Sequence, residues 1–313
     1  MTTRILEGDA LAAPGGSAIS RPVMRYHGGK FRLAPWLLSF FPPHMVYVEP
    51  FGGAASVLIQ KPRSHGEVYN DLDGDIVNVF RVLQNQCAAA RLAELLTVTP
   101  YARDEFDLAF EPSDESIERA RRTIIRAEMG FGSAGATKGK TGFRVDTGRH
   151  YGTAMSVWAT IPNKITSFAA RLQGVLIENR DALAVIGQHD TTQTLFFVDP
   201  PYLHSTREVG ARHGRYYQHE LTDDDHYKLL ETLRAVAGMV VVSGYPSALY
   251  DAALTGWVRR ETKSRIAASR GTRTRTEVVW LNPACCDGLK RRRSQAGLFA
   301  DATLYPTAML GQQ

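Results

Sequence analysis

The sequence predicts an α/β fold, a mostly parallel sheet with helices on both faces, interrupted by an inserted lobe of helices and loops. Three observations carry that expectation. Two strand-then-helix units follow one another between Val46 and Leu83; the alternation lapses from about residue 86 to 160; and it resumes with further strongly apolar strands as far as Leu281. Successive strand–helix units build parallel sheets, because each helix carries the chain back to the end of the sheet where the previous strand began.

Residues 1–20 mix Gly, Ala, Ser and Pro without a hydrophobic period and are expected to form a flexible arm. Val46-Tyr47-Val48 has the pattern of a short buried strand, Pro50-Phe51-Gly52-Gly53 that of a tight turn, and Ala54 to Gln60 that of a helix. A second strand is expected at Glu67 to Tyr69. Beyond Gly74, the residues Ile76, Val77, Phe80 and Leu83 recur at helical spacing. The interval 86–160 holds helical patterns, notably Ser116 to Met129, and then a glycine-rich, basic stretch from Gly130 to Tyr151. Ile165, Phe168, Ala169 and Leu172 mark one more helix face, followed by strands at Val175–Ile177 and Leu195–Val198. Thr222 with Asp225 forms a capping-box pattern at the start of a helix over Asp223–Ala237. Met239–Ser243 is another buried strand, and Glu277–Leu281 a last one near the sheet edge. The expected division is an arm (1–20), a sheet-bearing body (21–85 and 161–285), a lobe (86–160) and a tail (286–313).

At 313 residues and 44% hydrophobic content, the chain can fill one large core and a smaller appended lobe. It has no apolar run long enough for a membrane span and no signal-peptide pattern after Met1, so a cytoplasmic protein is expected. Cys87, Cys285 and Cys286 fit free thiols. The net charge of +5 is modest, but the cations cluster. Lys138, Lys140, Arg144, Arg149 and His150 lie in the glycine-rich stretch, and Arg259, Arg260, Lys263, Arg265, Arg270, Arg273 and Arg275 form a second group. Such clusters suit a polyanion, and equally an ordinary solvated face.

The sharpest chemical signal is Asp199-Pro200-Pro201-Tyr202, directly after the apolar strand Leu195–Val198. Ligands of open α/β sheets collect at the carboxyl ends of strands, so an acid and an aromatic there face a binding crevice. Two prolines stiffen the turn and remove two amide donors, leaving acceptors. The Asp199 carboxylate and the Pro200 carbonyl can together accept both hydrogens of an amine on an aromatic ring, freeing its lone pair for attack. Tyr202 supplies a face for stacking.

These residues resemble the Dam-like (D12 class) adenine-specific DNA amino-methyltransferases, in which the Asp-Pro-Pro-Tyr turn is catalytic. The resemblance spans Tyr26 to about Pro283 and assigns catalytic roles to Asp199, Pro200 and Tyr202. Tyr26-His27-Gly28-Gly29-Lys30 is similar to the family's N-terminal motif, which implies that Tyr26 and Lys30 bind S-adenosylmethionine. Glu49-Pro50-Phe51-Gly52-Gly53-Ala54-Ala55-Ser56 resembles the loop after the first strand, so Phe51, Gly52 and Gly53 join the cofactor site with Asp199. The glycines there are expected to let the backbone approach the cofactor. Ala55 stands where the family generally has a second spaced glycine. Asn70-Asp71 ends the second strand, where nucleotide-binding folds place an acid for ribose hydroxyls, making Asp71 the ribose ligand. Asp73 and Asp75 fit helix N-terminal acids.

Gly130–Gly135 and Ala134–Thr141 match loose dinucleotide and phosphate-loop spacings, but neither follows a strand and opens a helix, as phosphate binding requires. That stretch is better read as a DNA-recognition loop. Lys138, Lys140, Arg144 and Arg149 are then DNA-binding residues, with Phe143 or Tyr151 available to wedge or stack. His219, Glu220, Asp223–Asp225 and His226 lack a ligand spacing and fit a solvated helix start, so no metal is expected. The resemblance implies a site-specific enzyme that swings adenine out of duplex DNA and methylates its N6 amine directly from S-adenosylmethionine, without a covalent enzyme intermediate. It also implies a bacterial or phage-encoded protein, with a cognate restriction enzyme as a possible companion; a monomer is the default expectation, and no membrane partner is expected. The alternatives are a cytosine-N4 methyltransferase, disfavoured because those enzymes more often carry Ser at the position of Asp199; RNA or a protein amide as substrate; and a DNA-binding regulator that has lost catalysis.

Overall fold

The computed structural model describes residues 19–132, 135–136, 139–148, 153–206, 218–267 and 272–302. Among them, seven strands form one sheet: β1 (Val46–Glu49), β2 (Gly66–Asn70), β3 (Val175–Glu178), β4 (Thr194–Val198), β5 (Met239–Gly244), β6 (Val258–Ala267) and β7 (Thr272–Leu281). Their order is β3-β2-β1-β4-β5-β7-β6; β1 to β5 run parallel, and the β6–β7 hairpin is antiparallel. The chain moves outward from β1 to β3, then returns to β4 on the other side of β1. The strand order therefore reverses between β1 and β4, the place where such sheets open a crevice at their carboxyl ends.

The helices are α1 (Ala34–Leu38), α2 (Gly74–Gln84), α3 (Gln86–Val98), α4 (Arg103–Leu108), α5 (Ser116–Met129), α6 (Ala154–Trp158), α7 (Pro162–Leu172), α8 (Ala182–His189), α9 (Asp223–Ala235), α10 (Ala248–Ala253) and α11 (Pro283–Ala302). Strand alternation sorts them onto two faces. Tyr47, Tyr69, Leu195, Phe197, Val241 and Val279 meet apolar residues of α2, α3, α5 and α7 on one face. Val48, Val68, Phe196, Val198, Val242 and Trp280 meet those of α8, α9 and α10 on the other. Central strands covered on both sides are buried along their whole length and largely apolar, as β4 and β5 are. The helix starts follow local chemistry: Asp73 caps α2, Glu115 caps α5, and Thr222 with Asp225 forms a full capping box on α9.

Three expectations change. Ala54–Gln60 is a run of turns and not a helix, because the chain must wrap the end of β1 with Gly53 and Ala55 both at positive φ. The last strand lies near the edge as expected but is longer than Glu277–Leu281: β6, whose arginines masked it as a basic patch, pairs along all of β7 and forms the edge itself. The segment after 286 continues α11, and Arg292 donates to the carbonyl of Phe41. The helices of 86–160 share one apolar cluster with the sheet, with Leu92, Leu96, Phe106, Ile124 and Ile125 continuous with Phe80 and Tyr47. Arg126 of α5 also pairs with Asp75 of α2 at 2.7 Å. Most of the arm at 1–20 lies outside the described residues.

Candidate active site

The crevice at the strand reversal is a cavity of about 400 Å³. Its lining includes Tyr26, Lys30, Phe51, Gly52, Gly53, Asp71 and Asp199, which the sequence had placed together. β1 delivers the Glu49–Gly53 loop, β2 delivers Asn70 and Asp71, and β4 delivers Asp199. Asn70 braces the floor: its side-chain amide donates to the carbonyls of Pro50 and Arg180, and its oxygen accepts from the Arg180 amide. Asp71 accepts from the amides of Gly53 (2.8 Å) and Asp73 (2.9 Å), so it clamps the glycine loop from below. Burial pushes its pKa up, against the lowering pull of those amides.

The two glycines have a reason visible inside the protein. A side chain at Gly52 would strike the ring of Tyr69, and at Gly53, which has φ +46, a Cβ would sit 2.6 Å from the Tyr26 ring. The loop is therefore drawn tightly between two aromatics, and the Tyr69 hydroxyl donates to the Gly53 carbonyl at 2.6 Å.

At the mouth of β4, charge is concentrated in a dry place. The Lys30 ammonium lies 3.0 Å from Asp199 Oδ2, donates to the Gly28 carbonyl at 2.9 Å, and sits 4.8 Å from the centre of the Tyr202 ring. The Tyr202 hydroxyl lies 3.1 Å from Asp199 Oδ1, 3.2 Å from Glu277 Oε2 and 3.5 Å from Ser243 Oγ. Its ring meets that of Tyr245 edge-on at 4.4 Å, and Arg275 donates to the Tyr245 hydroxyl. Burial pushes the pKa of Asp199 up, against the pull of Lys30. For Lys30 burial acts downward, but the charges of Asp199 and Glu277 outweigh it and hold the ammonium above its ordinary value.

Glu49 completes the lining. It is 2% exposed, and its Oε2 has no hydrogen-bond partner. Burial raises its pKa to about 8. Glu49 borders the cavity, and a cationic guest there would favour its ionised form and offset the cost of burying that charge.

A family model for the D12 class N6 adenine-specific DNA methyltransferases matches residues 26–266. The chain belongs to that family. It is thus an enzyme of adenine methylation in DNA, and methyltransferases of this kind generally draw the methyl group from S-adenosylmethionine. No curated protein matches the chain. Among solved structures, the precorrin 8W decarboxylase of Methanobacterium thermoautotrophicum is similar over 86% of this chain and 92% of its own, at 11% identity and a TM-score of 0.32. A likeness that low carries no argument.

In this adenine methyltransferase only part of the set expected to meet DNA falls within the described residues. Lys138, Arg149 and Tyr151 lie outside the described residues. Lys140 is 60% exposed and pairs with Asp107 at 2.8 Å. Arg144 is mostly buried and lies 3.6 Å from Asp146. Phe143 packs against Tyr101 and Phe106, with Arg103 over its ring, so it is part of the lobe's interior. Gly130 and Gly135 let the loop fold back on the Arg126 carbonyl at the end of α5, where the helix dipole is negative and disfavours phosphate. Among the described residues, no helix is long and apolar enough to cross a membrane. Glu49, Ser243, Tyr245 and Glu277 were not singled out by sequence reasoning. Glu277 did leave a signal, as the one acid in the run Arg273-Thr274-Arg275-Thr276-Glu277 leading into an apolar strand.

Proposed function

We propose that the protein transfers a methyl group from S-adenosylmethionine to the N6 amine of an adenine swung out of duplex DNA. The observation that carries this reading is the Lys30–Asp199–Tyr202 cluster at the end of β4, bordering a cavity whose buried Glu49 has an unpartnered oxygen. The cavity fits the donor in chemistry: Phe51, Val57 and Leu72 offer apolar surface, Asp71 an acceptor beside a helix start, and Glu49 a counter-charge. When bound, S-adenosylmethionine supplies an electrophilic methyl group on a sulfonium centre.

The protein's own part is alignment and acceptance. Asp199, oriented by Lys30 and Tyr202, accepts one hydrogen of the amine, and the carbonyl of Pro200 accepts the other. Two fixed acceptors hold the amine so that its lone pair points toward the donor, which supplies the alignment and electrostatic parts of catalysis. The half-buried Tyr202 ring gives the base a surface to stack against. Asp71 serves the ribose hydroxyls while keeping the Gly53 loop closed, with Tyr26 and Phe51 flanking the donor. The interval 86–160 is the target-recognition lobe, in which Lys138, Lys140, Arg144 and Arg149 meet DNA.

The test is transfer of labelled methyl from S-adenosylmethionine to unmethylated genomic DNA, followed by nucleoside analysis and mapping of modified positions. N6-methyladenine at one short sequence is the expected result. Label on cytosine, or none on DNA despite cofactor binding, would overturn the reading.

A further inference from the structure

Methylation of a neutral amine leaves a proton to dispose of. As the N6–methyl bond forms and the methyl–sulfur bond breaks, the sulfur takes back its electron pair and N6 becomes cationic. One N6 proton must then leave. Asp199, the acceptor beside it, is already shared with an ammonium and a phenol.

From the cluster's geometry we infer that Glu277 is the terminal acceptor of that proton, reached through the Tyr202 hydroxyl. This inference rests on the function proposed above. A phenol has one proton to donate, yet the Tyr202 oxygen lies 3.1 Å from Asp199 and 3.2 Å from Glu277, so it bridges two carboxylates. As Asp199 passes the proton from N6 to the Tyr202 oxygen, Tyr202 hands its own proton to Glu277 Oε2; no tyrosinate forms, and one proton has moved from N6 to Glu277. Burial raises the Tyr202 pKa well above its ordinary value, consistent with a concerted passage.

The charges fit a sink for one proton. Lys30 carries one positive charge; Asp199 and Glu277 together carry two negative charges. Lys30 is a full cation held above its ordinary pKa and cannot accept, and the Ser243 hydroxyl is too weak a base to keep a proton. Glu277 is 6% exposed, and burial pushes its pKa up, against the pull of Lys30. It faces Lys30 from the N-terminal segment, Asp199 and Tyr202 from the turn after β4, and Ser264 from β6; from the end of β5, Ser243 and Tyr245 meet Tyr202, and Arg275, two residues along β7, is engaged with Tyr245. Ser264 Oγ lies 3.4 Å from Glu277 Oε1, is half-buried, and continues the path outward. Glu277 acts through Tyr202 and is a positioning residue in that sense.

Glu277→Gln keeps the shape and an acceptor for Tyr202 but cannot take a proton. It should lower the single-turnover rate by about 100-fold or more, leave KM for DNA and cofactor binding nearly unchanged, and move the acid limb of the pH–rate profile to lower pH. Glu277→Asp should restore part of the rate. Infrared titration should show a carboxyl group ionising above the usual Glu range in the wild type and absent from Glu277→Gln. A Gln variant with wild-type rate and an unmoved acid limb overturns the relay while leaving the methyltransferase reading intact. A wild type that puts no methyl on adenine overturns both. If Glu277→Gln fails to fold, Glu277→Asp decides: a profile superimposable on wild type overturns the relay, and a slower, shifted one supports it.

Discussion

The crevice at the carboxyl ends of β1 and β4, which Glu277 of the antiparallel β7 joins, and the ribbon after α5 are built on opposite principles. At the crevice, Lys30, Glu49 and Glu277 are each less than 7% exposed, and Lys30 and Glu277 are locked in place by partners within about 3 Å. In the ribbon, two backbone hydrogen bonds, Phe131 to Gly142 and Arg144 to Met129, join the strands, while Phe131 is 72% and Val145 65% exposed. Gly139 and Gly148 there face open space. Under the function proposed above, the contrast follows from what each region does. Displacement on a methyl group needs acceptors oriented before the reaction, and buried charges held by partners provide them without reorganisation. A surface that must settle onto a particular stretch of DNA benefits from a backbone that can adjust.

If the strand ends are the preorganised half, changes there should cost turnover and spare DNA binding. The largest effect is expected for Asp199→Ala: methyl transfer should fall by at least about 1,000-fold while DNA affinity by gel shift is little changed. Near-normal turnover would break the comparison at its centre. Next comes Glu49. Its pKa is raised to about 8, so the ligand-free protein is protonated there at neutral pH, whereas a cationic cofactor prefers the carboxylate. Cofactor affinity should therefore rise with pH, by up to tenfold per unit, and level off above about 8. The ligand-free fold should lose stability over the same rise, from the ordinary carboxylate range through about 8. Glu49→Gln should bind more weakly and show no such slope in calorimetry at several pH values; an unchanged slope would remove Glu49 from the cofactor site.

The ribbon should behave the other way. Lys140 is exposed, with a surface pair to Asp107 and its ammonium over the Phe110 ring, so Lys140→Ala should raise KM for DNA a few-fold and leave kcat alone. If it meets one phosphate, the slope of log affinity against log salt should become shallower by about one. A drop in kcat with an unchanged salt slope would mean that the lobe takes part in alignment, and the division between the two regions would fail.

The sequence made the preorganised half legible and the other half much less so, for a physical reason. Strands covered on both faces, such as Leu195–Val198, must be apolar, and the turn after them must present its chemistry at fixed positions, so Asp199 and Asp71 stand out by place and type. Glu277 was hidden because its function depends on a hairpin pairing across Thr262 and on contact with Tyr202, 75 residues away, neither of which leaves a local period. Phe143 illustrates the converse. An aromatic beside an arginine in a glycine-rich loop resembles a free stacking residue, but Tyr101 and Phe106 draw it inward.

The smallest effect sharpens the comparison within the preorganised half itself. Ala55 adopts φ +51 and is fully buried, occupying with a methyl group a conformation that glycine takes freely. The left-handed region costs a residue with a side chain roughly 1–2 kcal/mol. Removing the methyl forfeits about 0.8 kcal/mol of burial and adds roughly 0.4–1 kcal/mol of unfolded-state entropy. These terms nearly cancel, so Ala55→Gly should change stability by less than about 1 kcal/mol and leave cofactor affinity as it was. Gly53→Ala, one turn of the same loop, combines positive φ with a clash 2.6 Å from the Tyr26 ring and should lower both stability and cofactor affinity clearly. Thermal melts with and without cofactor separate the two. If Ala55→Gly alone weakened binding, the methyl group would be holding the loop in its closed form, and the tight fit between Tyr26 and Tyr69 would not suffice to do so.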